Sequence, residues 1–238
     1  MTHRQLSARE LATAYDEIYH RAPLEDGPRL YRWVAKLAQL NPGVRVLDLG
    51  CGTGGAARAA QELGAATTCL ELSNVALSLA RQRLATGAFV LGDGAHLPFA
   101  DQSFDCVFNL GNLEHFAELE RGISEMRRVL KPQGRAWILL PNLYYSGSVW
   151  RAIRTGYGPN HHQPIDRFAT RSEWRDLLAS QGLAVHRSRP YHKGKWWKRF
   201  LPANLAWHFL YETGRGDRSA AAALPPLTRL QPPGAHRQ

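Results

Sequence analysis

Three acids stand where chemistry can be done. Asp48 lies in the short apolar run Val46-Leu47-Asp48-Leu49, directly before Gly50-Cys51-Gly52-Thr53-Gly54-Gly55; Glu71 lies in Leu70-Glu71-Leu72-Ser73 and Asp93 in Leu91-Gly92-Asp93-Gly94. Each acid terminates an apolar stretch of strand length, so the three carboxylates are expected at strand ends. The glycines allow positive φ and close approach of a ligand to the backbone, and the helix read over Ala56–Leu63 presents unpaired N–H groups at its start. Such a turn receives a nucleoside-like cofactor. The glycine spacing alone is ambiguous, because Gly50, Gly52 and Gly55 fit G-x-G-x-x-G while Gly50, Gly52 and Gly54 fit the tighter G-x-G-x-G. The acids discriminate: Asp48 in the turn repels a pyrophosphate and favours an ammonium group, and Glu71 suits a pair of ribose hydroxyls.

A second set of residues could move a proton. His115 sits in Asn112-Leu113-Glu114-His115-Phe116, His161 and His162 lie in the polar loop Thr155–Pro164, and Tyr19 and His20 end the first predicted helix. His115, His162 and Tyr19 are the candidate catalytic residues. For His115 a hydrogen bond to a neighbouring loop is the plain alternative to catalysis. One Glu-His pair is a poor metal site by itself, and no metal is expected.

These residues need a frame. From Asn41 to Pro141 the pattern alternates strand and helix: Val44–Leu49, Ala56–Leu63, Thr67–Leu72, Asn74–Leu84, Phe89–Gly92, Phe104–Leu110, Leu119–Leu130 and Ala136–Leu140. Alternation of this kind means a parallel sheet with helices on both faces and a ligand at the carboxyl ends of the strands. Ser7-Ala8-Arg9-Glu10 and Thr170-Arg171-Ser172-Glu173 have the capping-box spacing, which predicts helices starting at each. A further helix is read from Pro28 to Leu37, and a strand at Leu183-Ala184-Val185-His186. Tyr191 to Thr213, aromatic and basic, is read as a last strand with a packing helix or as a surface for an anionic membrane.

The runs VLDLGCGTGG, LELS, LGDGAHLPFADQSFDCVFNLGNLEHF and EMRRVLKPQGRAWILLPN resemble, in order, the successive motifs of class I S-adenosylmethionine-dependent methyltransferases of the type that includes ubiquinone-biosynthesis enzymes. The resemblance covers about residues 44 to 141. It implies a Rossmann-like α/β fold with a seven-stranded, mostly parallel sheet and N-terminal lid helices. It further implies S-adenosyl-L-methionine as cofactor, with Asp48, Gly50, Cys51, Gly52 and Gly54 at the methionine end. Glu71 and Leu72 then take the ribose, Asp93, Gly94 and Ala95 the adenine edge, and Asn109 and Leu110 close over the ligand. One domain is expected over 1–213, with lid helices in 1–40, the cofactor core in 41–141, substrate-side elements in 142–213 and a disordered tail in 214–238.

The 238 residues carry 30 Lys+Arg against 20 Asp+Glu. Residues 1–150 hold 15 of each sign, so the excess of ten lies wholly beyond them. A basic appended part suits an anionic partner, such as a small-molecule or lipid-like anionic acceptor or a membrane surface in peripheral contact, or is a solvated basic face without a partner. Cys51, Cys69 and Cys106 are odd in number and far apart, as for reduced thiols of a cytoplasmic protein, and the chain opens on no signal peptide. The expected activity is methyl transfer to a small or lipid-like acceptor, at oxygen. A nicotinamide oxidoreductase is opposed by Asp48 and Asp93. An RNA methyltransferase is permitted by the basic part but opposed by Asn109-Leu110-Gly111-Asn112, which replaces an Asn-Pro-Pro-Tyr motif; a cofactor-binding protein without catalysis is the third alternative.

Overall fold

The computed structural model describes residues 6–22, 24, 27–159, 163–193 and 200–216. Seven strands form one sheet: β1 (Arg45–Leu49), β2 (Ala66–Glu71), β3 (Ala88–Leu91), β4 (Phe104–Leu110), β5 (Leu130–Pro141), β6 (Leu183–Tyr191) and β7 (His208–Arg215). Their spatial order is β3-β2-β1-β4-β5-β7-β6, parallel throughout except that β7 runs antiparallel between β5 and β6. The chain proceeds outward from β1 through β2 to β3, then returns to place β4 on the other side of β1. That reversal opens a crevice beyond the carboxyl ends of β1 and β4.

Alternation along the strands assigns the helices to the two faces. Leu47 and Leu49 of β1, Val107 of β4 and Ile138 and Leu140 of β5 pack with α5 (Leu119–Val129) and α7 (Arg171–Ser180). Their neighbours Val46, Cys106, Phe108, Trp137 and Leu139 pack against α2 (Pro28–Leu37) and α3 (Gly55–Gln61). Cys69 of β2 meets Leu77 and Ala80 of α4 (Asn74–Arg83) on that same side.

Both capping boxes form. Ser7 Oγ accepts the Glu10 N–H at 3.3 Å at the start of α1 (Ala8–Arg21), and Thr170 Oγ1 accepts the Glu173 N–H at 3.3 Å at the start of α7. α6 (Ser146–Thr155) follows β5.

Two boundaries differ from the sequence expectation. β5 begins at Leu130, which pairs with Phe104, and the next pair is Cys106 with Arg135, so the register shifts over 131–134, the stretch that carries Pro132 and Gly134, while the strand continues. The expected packing helix before the last strand is, among the described residues, one 3₁₀ turn at Ala203–Leu205. Most of the expected tail, from 217 on, lies outside the described residues.

Candidate active site

The loop after β1 turns tightly and packs closely against the chain around it. Gly50 and Gly52 have φ of 71° and 53°, in the left-handed region that glycine tolerates. A Cβ on Gly50 would stand 1.5 Å from Asn112 Nδ2, and one on Gly52 would stand 2.8 Å from the Tyr19 hydroxyl. The loop is tied to the end of β2, since the Gly50 and Cys51 N–H groups both donate to the Leu70 carbonyl at 2.8 and 3.1 Å.

Glu71 completes that tie. One carboxylate oxygen accepts the Gly52 N–H at 2.8 Å, and the other accepts the N–H groups of Leu72 and Ser73 at 2.8 and 3.0 Å. Burial pushes its pKa up, while these three donors work in the opposite direction. At the end of β3, Asp93 Oδ1 accepts the Ala95 N–H at 2.9 Å, and Phe116 lies so close over Gly94 that a Cβ there would meet its ring at 2.2 Å.

A cleft of about 310 Å³ joins these groups, and Gly50, Cys51, Gly52, Glu71, Leu72, Asp93, Gly94, Leu110, His115 and Tyr19 all line it. Asp48, Gly54, Ala95 and Asn109 stand behind its wall. Asp48 is 2% exposed, with Oδ2 accepting the Ala57 N–H at 2.8 Å in the first turn of α3. Ala95 is buried and its N–H is spent on Asp93. Asn109, expected to close over the ligand, is instead buried in the sheet, where its Oδ1 accepts the Leu113 N–H at 2.9 Å and shapes the turn Leu113–His115. Gly54 caps α3 with φ of 84°. His161 and His162 lie outside the described residues; His20 is exposed, away from the cleft.

His115 is 7% exposed. Its Nδ1 meets the Ile165 carbonyl, with Asp166 Oδ1 3.3 Å away and Glu114 Oε1 3.7 Å from Nε2. A carbonyl only accepts, so Nδ1 carries the hydrogen, and in the neutral ring Nε2 is left as an acceptor. Desolvation lowers its pKa, opposed by the Ile165 bond and Asp166. The loop hydrogen bond and the cleft position are both present in the same side chain.

The lid is two helices. From α1, Tyr15 and Tyr19 line the cleft, and from α2, Tyr31 covers Gly55. Asp16 on α1 accepts Ser73 Oγ–H at 2.5 Å and Val75 N–H at 3.1 Å, while Tyr15 OH donates to Gln163 Oε1 at 3.0 Å.

His208 was not among the sequence candidates. It begins β7, lines the cleft, and its buried Nδ1 has no partner among the described residues. Desolvation first, and Lys193 second, push its pKa down to about 3. Trp207 beside it carries the Lys193 ammonium 4.5 Å from its ring centre. Trp33 stacks on Tyr191 at 5.9 Å, and Tyr191 meets Trp207 at a tilt at 6.1 Å, so these aromatics of the stretch pack inward while Phe200 is exposed; residues 194–199 lie outside the described set.

The methyltransferase domain model matches residues 47–138. A demethylmenaquinone methyltransferase of Parafrankia sp. is 34% identical over 175 residues, covering 62% of this chain and 67% of that protein. The chain belongs to the class I S-adenosylmethionine-dependent methyltransferases. A malonyl-[acyl-carrier protein] O-methyltransferase of Serratia marcescens is 30% identical over 133 residues, 55% of this chain and 52% of that one. Among the first curated relatives the match spans from 33% to 67% of their length. The solved 1,6-didemethyltoxoflavin-N1-methyltransferase of Burkholderia thailandensis shares the fold at TM-score 0.64 and 18% identity, covering 91% of this chain and 94% of that one.

The residues of this methyltransferase fit the family's cofactor. The loop at Gly50 and Gly52 leaves no room for a Cβ, and the Glu71 and Asp93 carboxylates stand at adjacent strand ends on one cleft. Among the described residues no group of three or more His, Cys, Asp or Glu side chains is placed to hold a metal ion.

Proposed function

We propose that this methyltransferase transfers the methyl group of S-adenosyl-L-methionine to an oxygen of a small, lipid-like acceptor. The observation that carries the reading is the placement of His115: it lines the same cleft as Glu71 and Asp93 with Nδ1 committed to the Ile165 carbonyl, which in the neutral ring leaves Nε2 as an acceptor. The cofactor, when bound, supplies a methyl carbon on a positively charged sulfur that leaves as a thioether. The chain's residues then do the rest. Glu71 and Leu72 hold the ribose, Asp93 and Gly94 the adenine edge, and Asp48 works through the loop at the methionine end.

His115 Nε2 would take the proton of the acceptor hydroxyl as methyl transfer proceeds. Asp166 and Glu114, at 3.3 and 3.7 Å from the ring nitrogens, favour the imidazolium that results. Tyr15, Tyr19, Phe116 and Trp207 give the cleft walls that suit an apolar acceptor and exclude water. The names of two relatives, a demethylmenaquinone methyltransferase and a malonyl-[acyl-carrier protein] O-methyltransferase, support this class of acceptor.

Incubation with methyl-¹³C S-adenosylmethionine and a panel of quinols, hydroxylated lipids and short RNA tests it. A new oxygen-bound methyl signal on a quinol or lipid, reduced about a hundredfold or more in His115→Gln, is the expected result. A carbon-bound methyl, methylated RNA, or turnover that His115→Gln leaves unchanged would overturn it.

A further inference from the structure

Of the seven exposed large hydrophobic side chains among the described residues, four fall within one short stretch: Tyr144, Trp150, Ile153 and Tyr157, each more than half exposed. Trp150 and Ile153 lie three residues apart on α6, which puts them on one side of that helix. Ser148, turned nearly opposite, is the buried residue of α6, and its hydroxyl donates to the Leu143 and Tyr145 carbonyls. Trp150 and Ile153 therefore form an apolar face turned outward, the reverse of a helix that packs its apolar face on a core.

Charge says what that face meets. Between Asn142 and Ile165 there is no Asp or Glu, while α6 carries Arg151 and Arg154. Arg151 Nε donates to the Gly158 carbonyl at 3.0 Å and its guanidinium lies 6.0 Å from the Tyr157 ring centre, so the aromatic ring is held beside the helix. Arg154 is exposed on the flank next to Trp150. A helix with Trp and Ile on its open face, arginines beside them and no acid has the make-up of an element that lies in the headgroup layer of a bilayer. The same segment continues into Gln163 and Ile165, which bond to Tyr15 and His115 at the cleft.

We propose that α6 with Tyr144 and Tyr157 docks this methyltransferase on an anionic membrane surface, at the rim of its cleft. The apolar side chains enter the headgroup layer and Arg154 faces lipid phosphates. This goes beyond the proposed reaction and does not depend on which acceptor is methylated. It also places the contact on an element other than the basic stretch Tyr191–Thr213.

Flotation of the full chain with vesicles of phosphatidylglycerol and phosphatidylcholine, and with phosphatidylcholine alone, tests the assignment. Binding to the anionic vesicles, weakened by salt, is expected, with partitioning reduced about tenfold or more in the Trp150→Ser/Ile153→Ser double variant. Calorimetry with S-adenosylhomocysteine should give the same affinity for both proteins, which separates lost docking from lost folding. Three results would overturn the proposal: no binding to anionic vesicles, equal flotation of the double variant, or sedimentation of the parent as a dimer and the variant as a monomer, which would assign the face to a second copy of the chain.

Discussion

Glu71 holds Gly52. The carboxylate at the end of β2 reaches nineteen residues back along the chain to the glycine loop after β1, at 2.8 Å, while its other oxygen gathers the N–H groups that start the turn into α4. The side chain assigned to the ribose is therefore also the latch that shapes the loop around it.

Replacing Glu71 by Ala should do two things at once. Loss of bonds to a charged group should raise the dissociation constant for S-adenosylhomocysteine by about ten- to a hundredfold, and it should also lower the melting temperature without ligand. Calorimetry and thermal denaturation read the two effects separately. Weaker binding at an unchanged melting temperature would mean that the latch is dispensable; unchanged binding would remove Glu71 from the ligand.

Asp48 predicts a proton. Burial first, and Glu71 in addition, push its carboxyl up from 3.8 to about 7, against the Ala57 bond that lowers it. The folded chain holds that proton up to about pH 7 and the unfolded chain loses it near 3.8, so this contribution to stability is present below 3.8 and lost as pH rises to 7. A cationic ligand favours the ionised form, so binding S-adenosylmethionine at pH 7 should release about half a proton. Titration in buffers of different ionisation enthalpy measures it. Asp48→Asn should abolish the release; release that persists in the variant would contradict the assignment.

His208 predicts the opposite slope. Its folded pKa lies near 3 and its ordinary value is 6.5, so the unfolded chain binds the extra proton between these limits. Stability from this residue is intact above pH 6.5 and falls as pH drops toward 3, by about 3 kcal/mol at pH 4. Denaturant unfolding of the parent and of His208→Gln should show curves that converge, or cross, as the pH is lowered from 6.5 to 4. A constant difference over that range would show that the ring is not held neutral.

The lid predicts a mobility. Asp16 ties α1 to the start of α4 and Tyr15 ties it to Gln163. Asp16→Ala should raise amide exchange in α1 and weaken cofactor affinity by about three- to tenfold, with little change in the exchange of β1 and β4. Unaltered exchange in α1 would mean that its apolar packing alone holds it down.

The sheet from β1 to β5 was legible because apolar runs, glycines and acids recur at strand ends; Glu71 and Asp93 came out on the cleft for that reason. Asn109 did not. One residue along a strand decides between wall and interior, and its side chain serves the turn before His115. Gln163, Lys193, Trp207 and His208 line the cleft without having been read from the sequence as site residues. The place of Trp207 and His208 depends on β7 entering antiparallel between β5 and β6, which pairs His208 with Pro141 and brings the first residues of β7 to the carboxyl end of β5. Such a pairing joins residues 67 apart in the chain and leaves no local period to read.

The central claim is that the cleft between Gly52, Glu71 and Asp93 holds an adenosyl ligand. Calorimetric titration of the full chain with S-adenosylhomocysteine and, in parallel, with NADH tests it most directly. One-to-one binding of the adenosyl ligand, lost or strongly weakened in Glu71→Ala, with no heat from NADH, is the predicted result; no binding of S-adenosylhomocysteine, or binding of NADH at the same site, would contradict it.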